Sequence, residues 1–294
     1  MDLLFGGPPC QSFSLAGKQL GLCDERGPLL FEIIRFAEII KPKVILLEQV
    51  KGLLSSKGEK NRRGEIFETF LTKLENIGYT PKWRVIMAAD FGIPQLRERL
   101  FVVATRGRNG FQFPEKTHTP VEKCNDLFAL KPYASAGKVI NGLGNPSPKV
   151  RGQTIYDRKD SHVDVTPERD RERIAQVPEG SYLSAQVHLG EELRRGLSPK
   201  DTTKYLRLHR GRPSNTLRCG EIFFHPTENR YLTPREYMRI HGYPNSYCLK
   251  GPIRSRTGTV RNLDQHRQVA NSVPPPLAKI LGTQIARYLN EQNL

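Results

Sequence analysis

The order of strands and helices predicted in the first hundred residues indicates an α/β fold. Short apolar runs at residues 3–5 and 44–47 are typical of buried strands, and Gly6-Gly7 ends the first of them. Apolar residues at helical spacing follow each run, over residues 29–40 and 64–77. This alternation predicts a mostly parallel, partial doubly wound sheet, in which right-handed crossovers bring the ends of the first two strands to one edge.

Two further strands are predicted at residues 83–89 and 100–104, after which the sequence changes character. Pro, Gly and charged residues become frequent and apolar runs shorten, which indicates a second, smaller, irregular and mostly-β domain. A capping box at Thr233 starts a helix, and a proline run leads into a C-terminal helix. We predict a first domain at residues 1–106, a second, smaller domain at residues 107–229 and a return to the first domain at residues 230–294.

The composition favours a protein of the reducing cytoplasm with a polyanionic partner. The net charge is +16, the pI is near 9.8, and arginines and lysines cluster at residues 194–218 and 254–267. Nucleic acid is the first candidate partner. We expect no signal segment and no membrane span, because no apolar stretch approaches the roughly 20 residues that a span needs. The five cysteines are scattered without a CxxC pair, so we expect no zinc ribbon and no disulfide framework.

Cys10 follows the first strand directly, beyond the break at Gly6-Gly7 and the stiff Pro8-Pro9 pair. Open α/β sheets place their chemistry just past the ends of strands. Taken alone, however, Cys10 is equally well a small buried side chain in a turn, which is the common fate of a free cysteine.

Several stretches together resemble the ordered motifs of DNA cytosine-5 methyltransferases. GGPPCQSFS is similar to the nucleophile motif of that family, LLEQV to its Glu-Asn-Val motif, and QLRER to its Gln-x-Arg-x-Arg motif. RPSNTL, HPTENRYLTPREYMRIHGYP and QVANSVPP are similar to its late motifs. These stretches begin at residues 6, 46, 95, 212, 225 and 268. The resemblance covers nearly the whole chain in the usual order and implies a Rossmann-like methyltransferase sheet. It also implies that residues 1–106 form an N-terminally incomplete catalytic domain, that residues 107–229 form a target-recognition domain, and that residues 230–294 return to the catalytic domain.

The resemblance implies four catalytic residues. Cys10 would attack C6 of cytosine as a thiolate, since an enamine-like C5 can then accept a methyl group. Glu48 would hydrogen-bond to the ring at N3 and read the edge of the base. Arg99 would contact the cytosine O2, and Arg97 would support the catalytic loop or a phosphate. Because they lie two apart, we expect these two arginines to face the same side of an extended segment. Gln49 departs from the family pattern, which has Asn there to brace the nucleophile loop.

A cytosine inside a duplex is unreachable, so the substrate implied by the resemblance is double-stranded DNA with the target base flipped out. We expect the loop at residues 12–27 to close over that base. The DNA-binding candidates are Gln11, Ser14, Gln19, Arg212 and Thr216.

The methyl donor implied by the resemblance is S-adenosylmethionine, and no metal is expected. Its remaining candidate ligands are Pro9, Asn271 and Ser272. The family's Gly-rich turn and acidic ribose ligand precede the nucleophile motif, whereas this sequence starts inside the strand before Cys10. We therefore expect the donor-binding strands to come from an upstream segment or from a second polypeptide.

Three hypotheses stay open at this point. The leading one is a cytosine-5 DNA methyltransferase chain of a bacterial or phage restriction-modification system. The second is a non-catalytic DNA-binding remnant that cannot bind the donor. The third is a cytosine-5 methyltransferase that acts on RNA.

Overall fold

The computed structural model describes residues 1–9, 29–107, 110–124, 130–148, 160–194, 197–198, 205–254 and 263–292. Cys10, Gln11, Ser14, Gln19 and the predicted loop at residues 12–27 lie outside them. The chain divides into two compact units. The first, here called the sheet unit, comprises Met1–Met87, Glu98–Glu115 and Lys279–Leu294. The second unit comprises Ala88–Arg97 and Lys116–Ala278.

The sheet unit alternates strands and helices as the sequence predicts. Its elements are β1 (Leu3–Gly6), α1 (Leu29–Ile40), β2 (Val44–Gln49), α2 (Glu65–Asn76), β3 (Tyr79–Met87), β5 (Glu98–Arg106) and most of α8 (Pro275–Glu291). Gly64 lies at the N-terminal end of α2 with φ of 82°, a conformation that glycine adopts without steric cost.

The four strands form one mixed sheet in the order β1-β2-β5-β3. β1 and β2 are parallel, with Gly6 opposite Leu47, so their carboxyl ends share an edge as predicted. β5 runs antiparallel to both of its neighbours, β2 and β3. The strands β1, β2 and β3 therefore point in one direction, as a mostly parallel sheet requires, but only β1 and β2 pair in parallel. The reason is the connection from β3 to β5, which contains no crossover helix of the kind that parallel neighbours require.

The core of the sheet unit lies between one face of the sheet and the helices α1 and α2. Leu30, Ile33 and Ala37 of α1 pack against Ile45 and Leu47 of β2. The sequence predicts Leu29 and Ile40 on the same buried face, but both are exposed. Their positions fall on one flank of the helix, outside the stripe that faces the sheet.

On α8, Leu277, Leu281 and Ile285 are buried as predicted. Ile280 and Leu289, predicted on the same face, are only half-buried. Tyr288 is buried instead, and its ring meets that of Phe111 edge-on at 6.1 Å. An amphipathic tyrosine can bury its ring in this way, a possibility that a purely aliphatic pattern does not show.

The second unit consists of short elements joined by irregular segments. They are β4 (Gln95–Leu96), β6 (His118–Thr119), β7 (Lys131–Pro132), α3 (Ala136–Ile140), β8 (Ser147–Pro148), β9 (Val163–Asp164), α4 (Glu168–Ala175), α5 (Glu191–Arg194), β10 (Ser214–Asn215), α6 (Pro234–Ile240) and α7 (Gln265–Asn271). The prediction of a smaller, mostly-β domain is wrong for the described residues. Each strand has two residues, helices supply most of the regular structure, and this unit takes up more of the chain than the sheet unit. Isolated backbone hydrogen bonds, such as that from the N–H of Arg207 to the carbonyl of Ser181 at 2.8 Å, join the irregular segments in place of continuous ladders.

The bounds of the second unit also differ from the predicted domain bounds, because residues 230–278 belong to it. Its main core joins Leu206, Leu217 and Phe223 to Tyr237 of α6 and Val269 of α7. The capping box that starts α6 is present as predicted: Thr233 Oγ1 accepts from the backbone N–H of Glu236, whose carboxylate accepts from the N–H of Thr233. Target recognition by residues 107–229 stays a prediction. None of the described helices combines the length and apolar character needed to cross a bilayer.

Candidate active site

Glu48 and Arg99 form an ion pair at the carboxyl end of β2. Arg99 Nε lies 3.1 Å from Glu48 Oε1, and the two side chains are 15% and 20% exposed, respectively. The antiparallel register explains the pair: Glu48 lies opposite Phe101, so Arg99 is its diagonal neighbour on the same face of the sheet. The guanidinium also donates from Nη1 to the carbonyl of Glu98 at 2.7 Å. A carboxyl group and a guanidinium are thus held side by side, each with a part of its surface exposed in the described structure.

The chain passes close to this carboxylate as it leaves β1. A Cβ on Gly7 would lie 3.4 Å from Glu48 Oε2, within van der Waals contact of the carboxylate. Pro8 and Pro9 follow, and Pro9 is exposed. The predicted nucleophile, Cys10, is the next residue and lies outside the described residues.

Gln49 braces the exit from β1. Its Nε2 donates to the carbonyl of Pro8 at 2.7 Å, and its Oε1 accepts from the N–H of Val50 at 3.0 Å. The side chain is fully buried, and the two hydrogen bonds together fix which way the amide points. The glutamine that departs from the family pattern therefore holds the segment that leads to Cys10.

Arg97 lies in a different environment from Arg99. The structure places it between β4 and β5, in the second unit, with only 2% of its surface exposed. Its Nη2 donates to the carbonyls of Ala270 and Ser272 at 3.0 and 2.9 Å. Arg97 precedes β5, whereas Arg99 lies on it, and the buried guanidinium of Arg97 holds the end of α7. A common face for the two arginines, and the support of the catalytic loop or of a phosphate by Arg97, stay predictions.

Asn271 and Ser272, which are predicted to contact the methyl donor, lie together at the C-terminal end of α7. The thiol of Cys219 donates to Asn271 Oδ1 at 2.7 Å, while the asparagine itself is exposed. The Ser272 hydroxyl donates to the carbonyl of Val269 and accepts from the Tyr243 hydroxyl, both at 2.8 Å. The exposed Asn271 can offer its amide N–H₂ to a polar group of the methyl donor, and the Ser272 hydroxyl has a second acceptor lone pair beyond the one that Tyr243 uses.

The remaining DNA-binding candidates lie near β10. Thr216 donates its hydroxyl to the carbonyl of Leu96 at 2.8 Å, and Arg212 is exposed. Their contacts with DNA stay predictions. No group of three His, Cys, Asp or Glu side chains within the described ranges is placed to hold a metal ion.

A network of charged side chains, largely buried, joins the start of α6 to the segment before it. Arg230 is paired with Glu236 at 2.8 Å and with Glu228 at 2.7 Å. Burial lowers the pKa of the adjacent His225, whose Nε2 is 3.6 Å from Glu236. The carboxylates outweigh burial at Arg230 and raise its pKa further. Such a network keeps Arg230 charged and ties the capping box of α6 to the strand-like segment before it.

Sequence reasoning missed four side chains that bond to the predicted site residues or to one another. They are Gln95, Cys219, His241 and Tyr243. Each makes its hydrogen bonds to residues far away in the sequence; Gln95 and His241, for example, are 146 residues apart. Gln95 carries a weak signal, since it is a polar residue within a motif. His241 follows an ordinary helix and carries none.

The sequence of residues 1–287 matches the family model described as C-5 cytosine-specific DNA methylase. The chain belongs to this family. Among curated relatives, the type II methyltransferase M.NgoFVII of Neisseria gonorrhoeae is 32% identical over 280 residues, which cover 93% of this chain and 66% of the relative. M.Eco47II of Escherichia coli is 32% identical over 308 residues, covering 100% of this chain and 65% of the relative. The chain thus spans about two thirds of the length of these relatives.

The methyltransferase fold is also found in solved structures. A crystal structure of a candidate DNA modification methyltransferase, encoded within a prophage of E. coli, matches with a TM-score of 0.67 and 19% identity. The match covers 99% of this chain and 80% of that one. At this level of identity the likeness shows the α/β methyltransferase fold, including its mixed sheet.

Proposed function

We propose that this polypeptide methylates C5 of cytosine in double-stranded DNA, with S-adenosylmethionine as the methyl donor. The observation that carries the proposal is the Glu48–Arg99 pair, 3.1 Å apart, beside the Gln49-braced segment that leads to Cys10. Family membership supports the reaction, and the net charge of +16 suits a DNA substrate. Such a reaction takes place where the DNA is, in the cytoplasm of a bacterial cell, alongside a restriction enzyme in some systems.

The proposed chemistry begins with the Cys10 thiolate. Its Sγ bonds to C6 of the flipped-out base, and the ring electrons move to C5. C5 takes the methyl group from the sulfonium of the donor, which leaves as a neutral thioether. A base then removes the proton on C5, the C6–S bond breaks, and the thiolate returns.

In this scheme Glu48 and Arg99 bind the polar edge of cytosine. Glu48 takes up a proton from solvent as the base binds, and its carboxyl then donates to N3 and relieves the negative charge that builds on the ring as Cys10 adds. The Arg99 guanidinium is a fixed donor suited to O2. Their mutual pairing keeps both side chains in place before the base arrives, so less conformational freedom is lost on binding.

We assign the remaining roles to residues that would contact DNA or the donor. The loop at 12–27 would close over the flipped base, with Ser14 contacting the DNA backbone and Gln19 helping to fill the gap. Gln11, just before that loop, would also contact DNA. Arg212 and Thr216 would contact the duplex next to the target. Pro9, Asn271 and Ser272 would contact the donor.

The proposal includes a strand-bearing polypeptide segment that completes the donor site, either upstream in the same protein or in a second chain. Within the described residues β1 pairs only with β2, and Phe5 on it is 75% exposed. Leu29, Phe36 and Ile40 are also exposed, and their spacing of seven and four residues puts them on one flank of α1. Phe31, on the opposite side of that helix, meets Phe70 of α2. An open strand edge beside an apolar helix flank is a surface that another strand can cover.

Transfer of labelled methyl from S-adenosylmethionine to duplex DNA tests the proposal. The chain would be assayed alone and together with the donor-binding segment of a relative, with Cys10→Ser as the matched inactive control. Methylation by the wild type and none by Cys10→Ser is the expected result. DNA binding without methylation, both by the chain alone and with the donor-binding segment, would identify a non-catalytic remnant. Preferential methylation of structured RNA would identify RNA, and not DNA, as the substrate.

A further inference from the structure

A hydrogen-bonded relay runs through the second unit from β10 to the end of α7. The N–H of Leu217 lies 3.3 Å from Gln95 Oε1, and Gln95 Nε2 lies 2.9 Å from His241 Nδ1. On the other side of the ring, His241 Nε2 lies 3.0 Å from the carbonyl of Ser272. Gln95 and His241 are both fully buried.

The direction of every hydrogen in this relay is determined by its ends. A backbone N–H only donates, so Gln95 Oε1 accepts from Leu217 and its Nε2 must donate to His241. A carbonyl only accepts, so His241 Nε2 carries the hydrogen given to Ser272. The ring is therefore the neutral Nε2–H tautomer, with a lone pair on Nδ1.

Other buried groups fix the Ser272 end of the relay. Arg97 Nη2 donates to the same carbonyl at 2.9 Å and to that of Ala270 at 3.0 Å. The Tyr243 hydroxyl donates to the Ser272 hydroxyl, and its ring stacks on that of His241 at 6.0 Å. The turn that carries Asn271 and Ser272 is thus held by side chains from two distant segments.

The Leu217 end is fixed just as firmly. β4 and β10 pair in parallel, with Ser214 opposite Gln95. The hydroxyl of Thr216 donates to the carbonyl of Leu96 at 2.8 Å, and the N–H of Ser214 donates to the carbonyl of Pro94 at 2.9 Å. The residues around Thr216 therefore cannot shift without disturbing Gln95.

We propose that Gln95 and His241 are positioning residues that link the placement of the Thr216 segment to that of the Asn271–Ser272 turn. The inference rests on the proposed function, which assigns DNA to the first of these and the methyl donor to the second. Neither residue touches a reacting atom. Their effect is on where Thr216 and Ser272 lie, so binding of one substrate favours the arrangement that binds the other.

Two substitutions of His241 separate the two halves of the relay. In His241→Gln the terminal amide reaches the position of Nε2 and can still donate to Ser272, but Gln95 loses its acceptor. In His241→Asn the shorter amide reaches the position of Nδ1 and can still accept from Gln95, but the Ser272 carbonyl loses the hydrogen bond from Nε2. The exposed His188, in the same unit, provides the matched control His188→Gln.

Binding of S-adenosylmethionine and of a cytosine-containing duplex would be measured by calorimetry and fluorescence anisotropy, in the form of the protein that methylates DNA. We expect His241→Asn to weaken donor binding about 3- to 10-fold, the equivalent of one lost hydrogen bond, and to leave DNA binding within about twofold. We expect the reverse for His241→Gln, and no change for His188→Gln. Thermal unfolding of each variant shows whether the second unit still folds.

Equal losses of both affinities in both variants would reveal a merely structural role and overturn the proposal, as would unchanged affinities. A second measurement does not depend on activity: ¹⁵N NMR should show His241 protonated at Nε2 and not at Nδ1. The opposite tautomer would also overturn the proposal. A wild-type protein that shows this tautomer but binds no donor would instead contradict the proposed function.

Discussion

The ion pair of the sheet unit and the relay of the second unit differ in the exposure of their polar groups and in the sequence distance between partners. Glu48 and Arg99 are partly exposed and lie on neighbouring strands, so the register of the sheet alone brings them together. Arg97, Gln95 and His241 are buried, and their partners lie far away in the sequence. The pair that we propose binds cytosine retains exposed surface, whereas the groups that hold the Asn271–Ser272 turn have their hydrogen bonds within the protein.

The largest effect in this comparison is expected at Glu48. Glu48→Gln keeps the size of the side chain but cannot deliver an ionisable proton to N3, so the methylation rate should fall by about 10²–10⁴. Because Gln has the same shape and its amide oxygen can still accept from Arg99, thermal unfolding should change little. Methylation rates at saturating DNA and S-adenosylmethionine test the first expectation, and melting curves test the second. A rate within tenfold of the wild type would remove Glu48 from the chemistry.

The two arginines give the sharpest contrast in stability. Arg97→Met removes a buried guanidinium with two carbonyl partners and should lower the free energy of unfolding by about 2–4 kcal/mol. Arg99→Met removes a partly exposed ion pair and should cost less than about 1 kcal/mol, while impairing methylation. Denaturant titration of both variants measures the difference. Equal destabilisation by the two substitutions would contradict the separation of roles.

The second unit should also be the more sensitive to acid. Burial, assisted by Arg254, lowers the pKa of His266 to about 4 against the hydrogen bond to Leu232, from an ordinary value of 6.5. Between these pH values the unfolded state binds the proton more readily, so stability is lost as pH falls from about 6.5 to 4, by about 3 kcal/mol. Below pH 4 both states are protonated and the loss ends.

Urea denaturation between pH 7 and 4 tests this expectation, with His266→Gln as the comparison. The variant should retain part of the acid sensitivity, because burial lowers the pKa of His225 as well. Identical pH dependence in the variant and the wild type would show that His266 does not carry the effect.

A smaller effect is expected at Gln49, where the sheet unit uses a buried side chain in the manner of the second unit. Gln49→Ala leaves the carbonyl of Pro8 and the N–H of Val50 without this partner, and should cost about 1–2 kcal/mol of stability and about tenfold in rate. Gln49→Asn tests reach: one methylene shorter, it should not span to Pro8 and should behave like the alanine variant. Full activity of both variants would mean that the segment before Cys10 needs no brace.

The same contrast explains what the sequence could predict. The capping box at Thr233 and the strand-end position of Glu48 depend on neighbours along the chain or on regular strand geometry, and both were predicted. The hydrogen bonds of Arg97 to Ala270 and Ser272 could not be predicted, because these partners lie 173 and 175 residues away along the chain. His241 was missed because its partners come from Gln95 and Ser272, which no local periodicity connects to it.

Trapping of a covalent adduct tests the central claim most directly. The probe is duplex DNA with 5-fluorocytosine at the target position, since C5 then carries fluorine and has no proton to release after methyl transfer. With S-adenosylmethionine and the donor-binding segment present, the wild type should form a complex with DNA that survives denaturation, and Cys10→Ser should not. Slower adduct formation in Glu48→Gln would place that carboxyl in the same step. An adduct that persists in Cys10→Ser, or none in a wild type that methylates ordinary DNA, would contradict the account.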